Sequence, residues 1–70
     1  MKISARNQLP AVVKDVAEGQ VMAEVVVTVD GGHEVVAAIT AESARRLGLV
    51  PGKRVTVIVK STEVMIGVED

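Results

Sequence analysis

The feature that most constrains this chain is a set of aliphatic runs with no polar alternation: Val25-Val26-Val27, Val35-Val36-Ala37-Ala38-Ile39 and Val57-Ile58-Val59. Side chains alternate between the faces of a strand, so a strand built from such a run is apolar on both sides. With 70 residues there is room for one domain, spanning residues 1–70, and a domain this short hides a small share of its surface. One apolar face therefore stays uncovered unless the chain associates with copies of itself. An aggregation-prone strand is the other reading of the same runs.

Nearly half of the residues are hydrophobic, yet the chain has no aromatic residue and no cysteine. The missing cysteines remove disulfides, thiolate metal sites and thiol catalysis, and agree with a reducing compartment. Val, Ile, Leu, Ala and Met are left to build the core, which favours packed strands. Met22 and Met65 are expected as core filler.

Turn and cap signals divide the chain. Leu9–Ala17 reads as a first strand with Pro10 near its start or on an edge, because proline cannot donate to a ladder. Val21–Val29 follows, and Asp30-Gly31-Gly32 supplies a tight hairpin into a third strand, His33–Ile39. Thr40 is a good N-cap, Glu42 falls in the first turn, Arg45 and Arg46 in the last, and Gly48 follows as a left-handed C-cap, which predicts a helix over Ala41–Leu47. Val50-Pro51-Gly52-Lys53 has Pro and Gly in the central positions of a type II turn. Arg54–Lys60 and Glu63–Val68 are the expected fourth and fifth strands. This order predicts an all-β fold, a five-stranded OB-type Greek-key barrel with one short helix between strands 3 and 4. Periodicity does not specify closure, so a swapped or more open arrangement of the same elements is the rival.

Several functions are disfavoured by composition. The acidic residues are scattered and no serine has a partner other than the distant His33, so no catalytic constellation forms and the chain is not expected to be an enzyme. His33, Glu34 and Asp30 flank a hairpin and are read as solvated strand-end residues, since a metal cation needs three or four converging ligands. Gly31-Gly32 joins two strands with no helix following, so it is not a phosphate loop. Single-stranded nucleic acid is bound by stacking on aromatic side chains along a basic groove. Here there are no aromatic residues and the formal charge is −1, so no nucleic-acid partner is expected. Met1–Gln8 contain no apolar run of signal-peptide length, and no segment is long enough to span a bilayer. A soluble, cytoplasmic protein with no membrane partner is expected.

Two polar clusters remain, Ser4-Ala5-Arg6-Asn7-Gln8 and Lys60-Ser61-Thr62. They offer two cations, several hydroxyls, two carboxamides and backbone N–H groups, with no carboxylate before Glu63. Such a donor-rich set suits an oxyanion. Ordinary turn polarity explains the same residues equally well from spacing alone.

The stretch Ile3-Ser4-Ala5-Arg6-Asn7-Gln8-Leu9 resembles the signature of the molbindin family, the Mop-like domains of TOBE type. The similarity continues through Gly31-Gly32-His33-Glu34, the Thr40–Leu49 segment with its Leu-Gly-Leu, and Val59–Ile66, and so covers essentially the whole chain. Ala11 departs from the pattern, where Gly is common in the family. The resemblance implies an OB-type barrel assembled as a homohexamer, a trimer of dimers, binding molybdate or tungstate where subunits meet. It implies Ser4, Arg6, Lys60, Ser61 and the backbone N–H of Ala5 as ligands, with Asn7 and Gln8 as supporting donors. No cofactor is expected beyond the oxyanion itself, and the implied role is reversible intracellular storage and homeostasis. With no nucleotide-binding segment and no DNA-reading domain, neither a transporter ATPase nor a full regulator is expected. The alternative is a small OB-type interaction module for a protein or nucleic-acid partner, with incidental anion binding.

Overall fold

A computed structural model describes all residues, 1–70. Its elements are β1 (Asn7–Glu18), β2 (Met22–Val29), β3 (Glu34–Thr40), α1 (Ala41–Arg46) and β4 (Arg54–Val59), followed by a 3-10 turn over Ser61–Glu63. The strands form one antiparallel sheet in the order β3-β2-β1-β4. Three hairpin-connected strands with the fourth returning beside the first make a Greek key. The all-β expectation, with one short helix between the third and fourth strands, therefore holds.

Local signals act as their chemistry dictates. Thr40 Oγ1 accepts the Ser43 N–H at 3.0 Å. Gly48 adopts φ +66°, and Leu49 N–H reaches the Ala44 carbonyl at 3.1 Å while Gly48 N–H reaches that of Arg45 at 3.0 Å. That pair of bonds is the Schellman ending, which satisfies carbonyls the helix cannot. In the turn before β4, Lys53 N–H donates to the Val50 carbonyl at 3.1 Å and Gly52 takes φ +94°. Pro10 lies within β1, and its carbonyl accepts from Asp30 N–H at 3.0 Å. The N and O of a strand residue face the same neighbour. Its missing donor therefore faces the end of β2, not the ladder to β4.

Lys14 is an extra residue in β1, for the register passes from Val13↔Val27 to Asp15↔Val26. A bulge of this kind bends its strand and increases twist, and the sheet curls into a half-barrel. Its concave side holds the core of Ala11, Val13, Val25 and Val27. Ala11, the departure from the family pattern, is fully buried there. The helix closes one end through Ala41 and Ala44, and Arg45 pairs with Glu18.

The fifth strand does not form. Glu63 belongs to the 3-10 turn, and Val64–Asp70 carry no regular secondary structure. A strand exists only against a partner: β1 is flanked on both sides, and the tail lies along neither free edge, β3 nor β4. The barrel is consequently open. Met65, Ile66 and Val68 are 91, 88 and 85% exposed, and Met22 is 49% exposed, so neither methionine is core filler within the chain. The other strands shift at their ends, β1 beginning at Asn7 and β4 stopping at Val59.

Only seven residues are buried and none is polar, a thin aliphatic core for a chain of this length. The two-faced runs behave as their pattern predicts: Val25 and Val27 are buried, whereas Val36 and Ile58 face outward, 61 and 39% exposed.

Candidate functional site

Asn7, the first residue of β1, stands opposite Val59, the last of β4. An antiparallel pair closing at this point sends Ser4-Ala5-Arg6 and Lys60-Ser61-Thr62 away from the sheet side by side. The two polar clusters, at opposite ends of the sequence, thereby meet. Between them lies a cavity of about 500 Å³ lined by Ile3, Ser4, Ala5, Ile58, Lys60, Ser61 and Thr62.

No carboxylate lines this cavity. The backbone N–H groups of Ser4, Ala5, Arg6, Ser61 and Thr62 donate to no acceptor within the chain. Arg6 and Lys60 take part in none of the ion pairs, which join Lys14 to Glu34, Arg45 to Glu18 and Arg54 to Asp30. Buried donors need partners, but these groups are solvent-exposed or nearly so, and they stay free without penalty until an acceptor arrives. The lining is thus a cation, three hydroxyls and free amides, with the two isoleucines as apolar wall.

The residues expected at the site divide into three groups. Ser4, Ala5, Lys60 and Ser61 line the cavity together. Arg6 belongs to the same loop but is exposed and does not line the cavity of its own chain. Asn7 and Gln8 are engaged with the backbone: Asn7 Nδ2 donates to the Val59 carbonyl at 3.1 Å and Gln8 Nε2 to the Ala5 carbonyl at 2.7 Å. Thr62, part of the polar cluster but not of the ligand set that the resemblance implied, also lines the cavity, and sequence reasoning missed Ile3 and Ile58. Thr62 was visible as the second hydroxyl after Lys60, whereas the isoleucines carried no polar signal.

Two other cavities are different in kind. One, of about 250 Å³, is the almost wholly apolar trough of the half-barrel. The other, of about 620 Å³, carries Lys53 and Arg54 on a mostly apolar lining with Thr56 as its one hydroxyl, and the Arg54 guanidinium is held by Asp30 at 3.2 Å. No group of three or more His, Cys, Asp or Glu side chains converges to hold a metal ion.

Together the fold and the cleft define a small Greek-key β module with a donor-lined, carboxylate-free recess of the kind that receives an oxyanion. A sequence model of the TOBE domain matches residues 3–66, and the chain belongs to that family, in its molbindin or Mop-like group. It is 46% identical over 66 residues to molybdenum-pterin-binding protein 2 of Clostridium pasteurianum, covering 94% of this chain and 97% of that one. Among solved structures, a molybdate-binding protein from Sporomusa ovata superposes with a TM-score of 0.88 at 52% identity, covering 94% of this chain and 97% of that one. The cytoplasmic molybdate-binding protein ModG, with molybdate bound, superposes with a TM-score of 0.84 at 48% identity, covering 87% of this chain and 43% of that one. These relatives are named for binding and not for a catalysed reaction.

Proposed function

We propose that the protein binds molybdate reversibly, and tungstate equally, for cytoplasmic storage and homeostasis of the oxyanion. The observation that carries this reading is the carboxylate-free cleft where Ser4-Ala5 meets Lys60-Ser61-Thr62. Molybdate near neutral pH is a tetrahedral dianion without a proton, so its best surroundings are cations and N–H or O–H donors only. Phosphate at that pH usually keeps a proton and gains from a carboxylate acceptor, which this lining lacks. Sulfate has the same charge but shorter bonds, so the spacing of the donors must reject it.

Lys60 and Arg6 neutralise the dianion, while Ser4, Ser61 and the N–H of Ala5 orient it. Charge-assisted hydrogen bonds contribute about 1.5–3 kcal/mol each, and micromolar affinity requires about 8 kcal/mol. A handful of donors is therefore sufficient. Arg6, which does not line the cavity of its own chain, serves the site of an adjoining copy.

Assembly follows from the exposed apolar surface. Val64, Met65, Ile66 and Val68 are uncovered, and the trough of the half-barrel is lined by Val25, Val27, Val35 and Ile39 among others. In the homohexamer, a trimer of dimers, the tail becomes the fifth strand and closes a barrel, covering both surfaces at once. Each single-domain protomer then brings part of the anion's shell to its neighbour.

The clostridial relative's name raises a second ligand, molybdenum held by a pterin. A pterin ring presents N–H donors and a flat face, and is best met by acceptors and aromatic stacking. This chain has no aromatic residue and no carboxylate in the cleft, so the free oxyanion is the better match.

Equilibrium dialysis with molybdate, tungstate, sulfate and phosphate, beside native mass measurement of the assembly, tests the reading. Molybdate and tungstate should bind at micromolar concentration or below, well ahead of the others. Equal binding of phosphate, or no binding of molybdate by the intact assembly, rejects it.

A further inference from the structure

Asparagine is disfavoured in strands, yet Asn7 opens β1 and is half-buried. Its side-chain amide reaches the Val59 carbonyl at 3.1 Å, across the last pair of the β1–β4 ladder and next to Lys60. Gln8 makes the matching contact on the other segment, to the Ala5 carbonyl at 2.7 Å, next to Arg6. A peptide unit is planar and trans, so fixing its C=O also fixes the N–H that follows. One carboxamide therefore sets the Val59–Lys60 plane and the other the Ala5–Arg6 plane. These are the two peptides through which the chain passes between sheet and cleft.

We infer that Asn7 and Gln8 are positioning residues of the oxyanion cleft, holding its two walls at a fixed separation and thereby setting which tetrahedral anion fits. This inference rests on the anion reading of the cleft. Neither side chain needs to touch the ligand. Fixed spacing is what separates molybdate from sulfate, since the two share charge and shape and differ in size. Without the carboxamides both segments are strand ends, the parts of a fold that fray first.

The test compares wild type with Asn7→Ala and Gln8→Ala, each as the intact assembly. Two readouts are combined: molybdate and sulfate affinities by calorimetry, and amide hydrogen exchange of ligand-free protein at Glu63 and Val64, whose N–H groups are held by the Lys60 and Ser61 carbonyls. For Asn7→Ala, molybdate affinity should fall about tenfold, the equivalent of one hydrogen bond, and the molybdate-to-sulfate ratio should fall with it. Exchange should quicken at Glu63 and Val64 while that of the Ala41–Arg46 helix stays unchanged. Gln8→Ala, at an exposed contact, should act on the affinities in the same direction but less. An unchanged affinity ratio overturns the inference, as does a rise in exchange shared by the helix, which marks general destabilisation. A wild-type assembly that binds neither anion overturns the reading of the cleft and the inference with it. That failure is distinct, because it appears before any substitution is made.

Discussion

Around the β2–β3 hairpin, the charges are matched: Arg54, at the start of β4, holds Asp30 at 3.2 Å, and Lys14 holds Glu34. At the cleft, Arg6 and Lys60 have no carboxylate partner, and five neighbouring backbone N–H groups have no acceptor. Both regions combine cations with small polar residues of the kind turns favour, and both lie near strand ends. What separates them is how far their charges and donors are already satisfied within the chain. A satisfied turn closes the fold; an unsatisfied one is open to a ligand. Substitutions in the first region should therefore alter stability without altering anion affinity, and substitutions in the second should do the reverse.

The sharpest contrast comes from removing one cation in each region. Lys60→Gln deletes a charge-assisted donor worth about 1.5–3 kcal/mol, so molybdate affinity should fall roughly 10- to 100-fold by calorimetry. Arg54→Gln removes a cation already paired with Asp30, and should leave affinity within about twofold. Equal losses in the two variants break the comparison, for they would mean that the anion feels only the net charge of the molecule. Ser61→Ala and Thr62→Ala refine it: each removes one neutral hydroxyl from the lining, and each should weaken binding by about three- to tenfold.

How much of this was legible beforehand depended on the range over which each feature is decided. The Thr40 cap, the Gly48 ending and the Val50–Lys53 turn are settled within a few residues, and their composition announced them. The fifth strand was not settled that way. Val64, Met65, Ile66 and Val68 have the composition of a strand, but a strand requires a partner, and the chain supplies none for them. Ser4–Gln8 and Lys60–Thr62 were visible as polar clusters. Their meeting was not, because it follows from the Asn7↔Val59 register, a pairing across most of the chain that the apolar pattern alone could not fix. Ile3 and Ile58 became part of the cleft through the same pairing, and the backbone contacts of Asn7 and Gln8 were likewise hidden until the ladder end was known.

A smaller effect should follow from the helix cap, which belongs to the satisfied side of the comparison. Thr40→Ala removes the acceptor for Ser43 N–H, at a cost of about 1 kcal/mol. In a domain this small that is a fall in Tm of roughly 4–8 °C. Molybdate affinity, measured well below the new Tm, should be unchanged. A cap variant that lost affinity as strongly as Lys60→Gln would show that the cleft is coupled to the helix, and that the two regions are not independent.

The smallest effect concerns pH. The pKa of Lys14 is raised above its ordinary value of 10.5, first by its hydrogen bond to Glu34 and then by the attraction of that carboxylate's charge. Because the folded-state pKa is the higher one, the ion pair stabilises the fold fully below the ordinary lysine pKa. The contribution then disappears as pH rises through the raised value. Both partners are exposed, and pairs of this kind are worth little. Thermal melts of wild type and Lys14→Gln should differ slightly at pH 9 and converge in strongly alkaline buffer, by less than the Thr40→Ala shift throughout. Since Lys14 sits on the bulge of β1 and does not line the cleft, molybdate affinity at neutral pH should be the same in the two proteins. If Lys14→Gln weakened the anion more than it lowered the Tm, a charge from the paired region would have to be counted as part of the site.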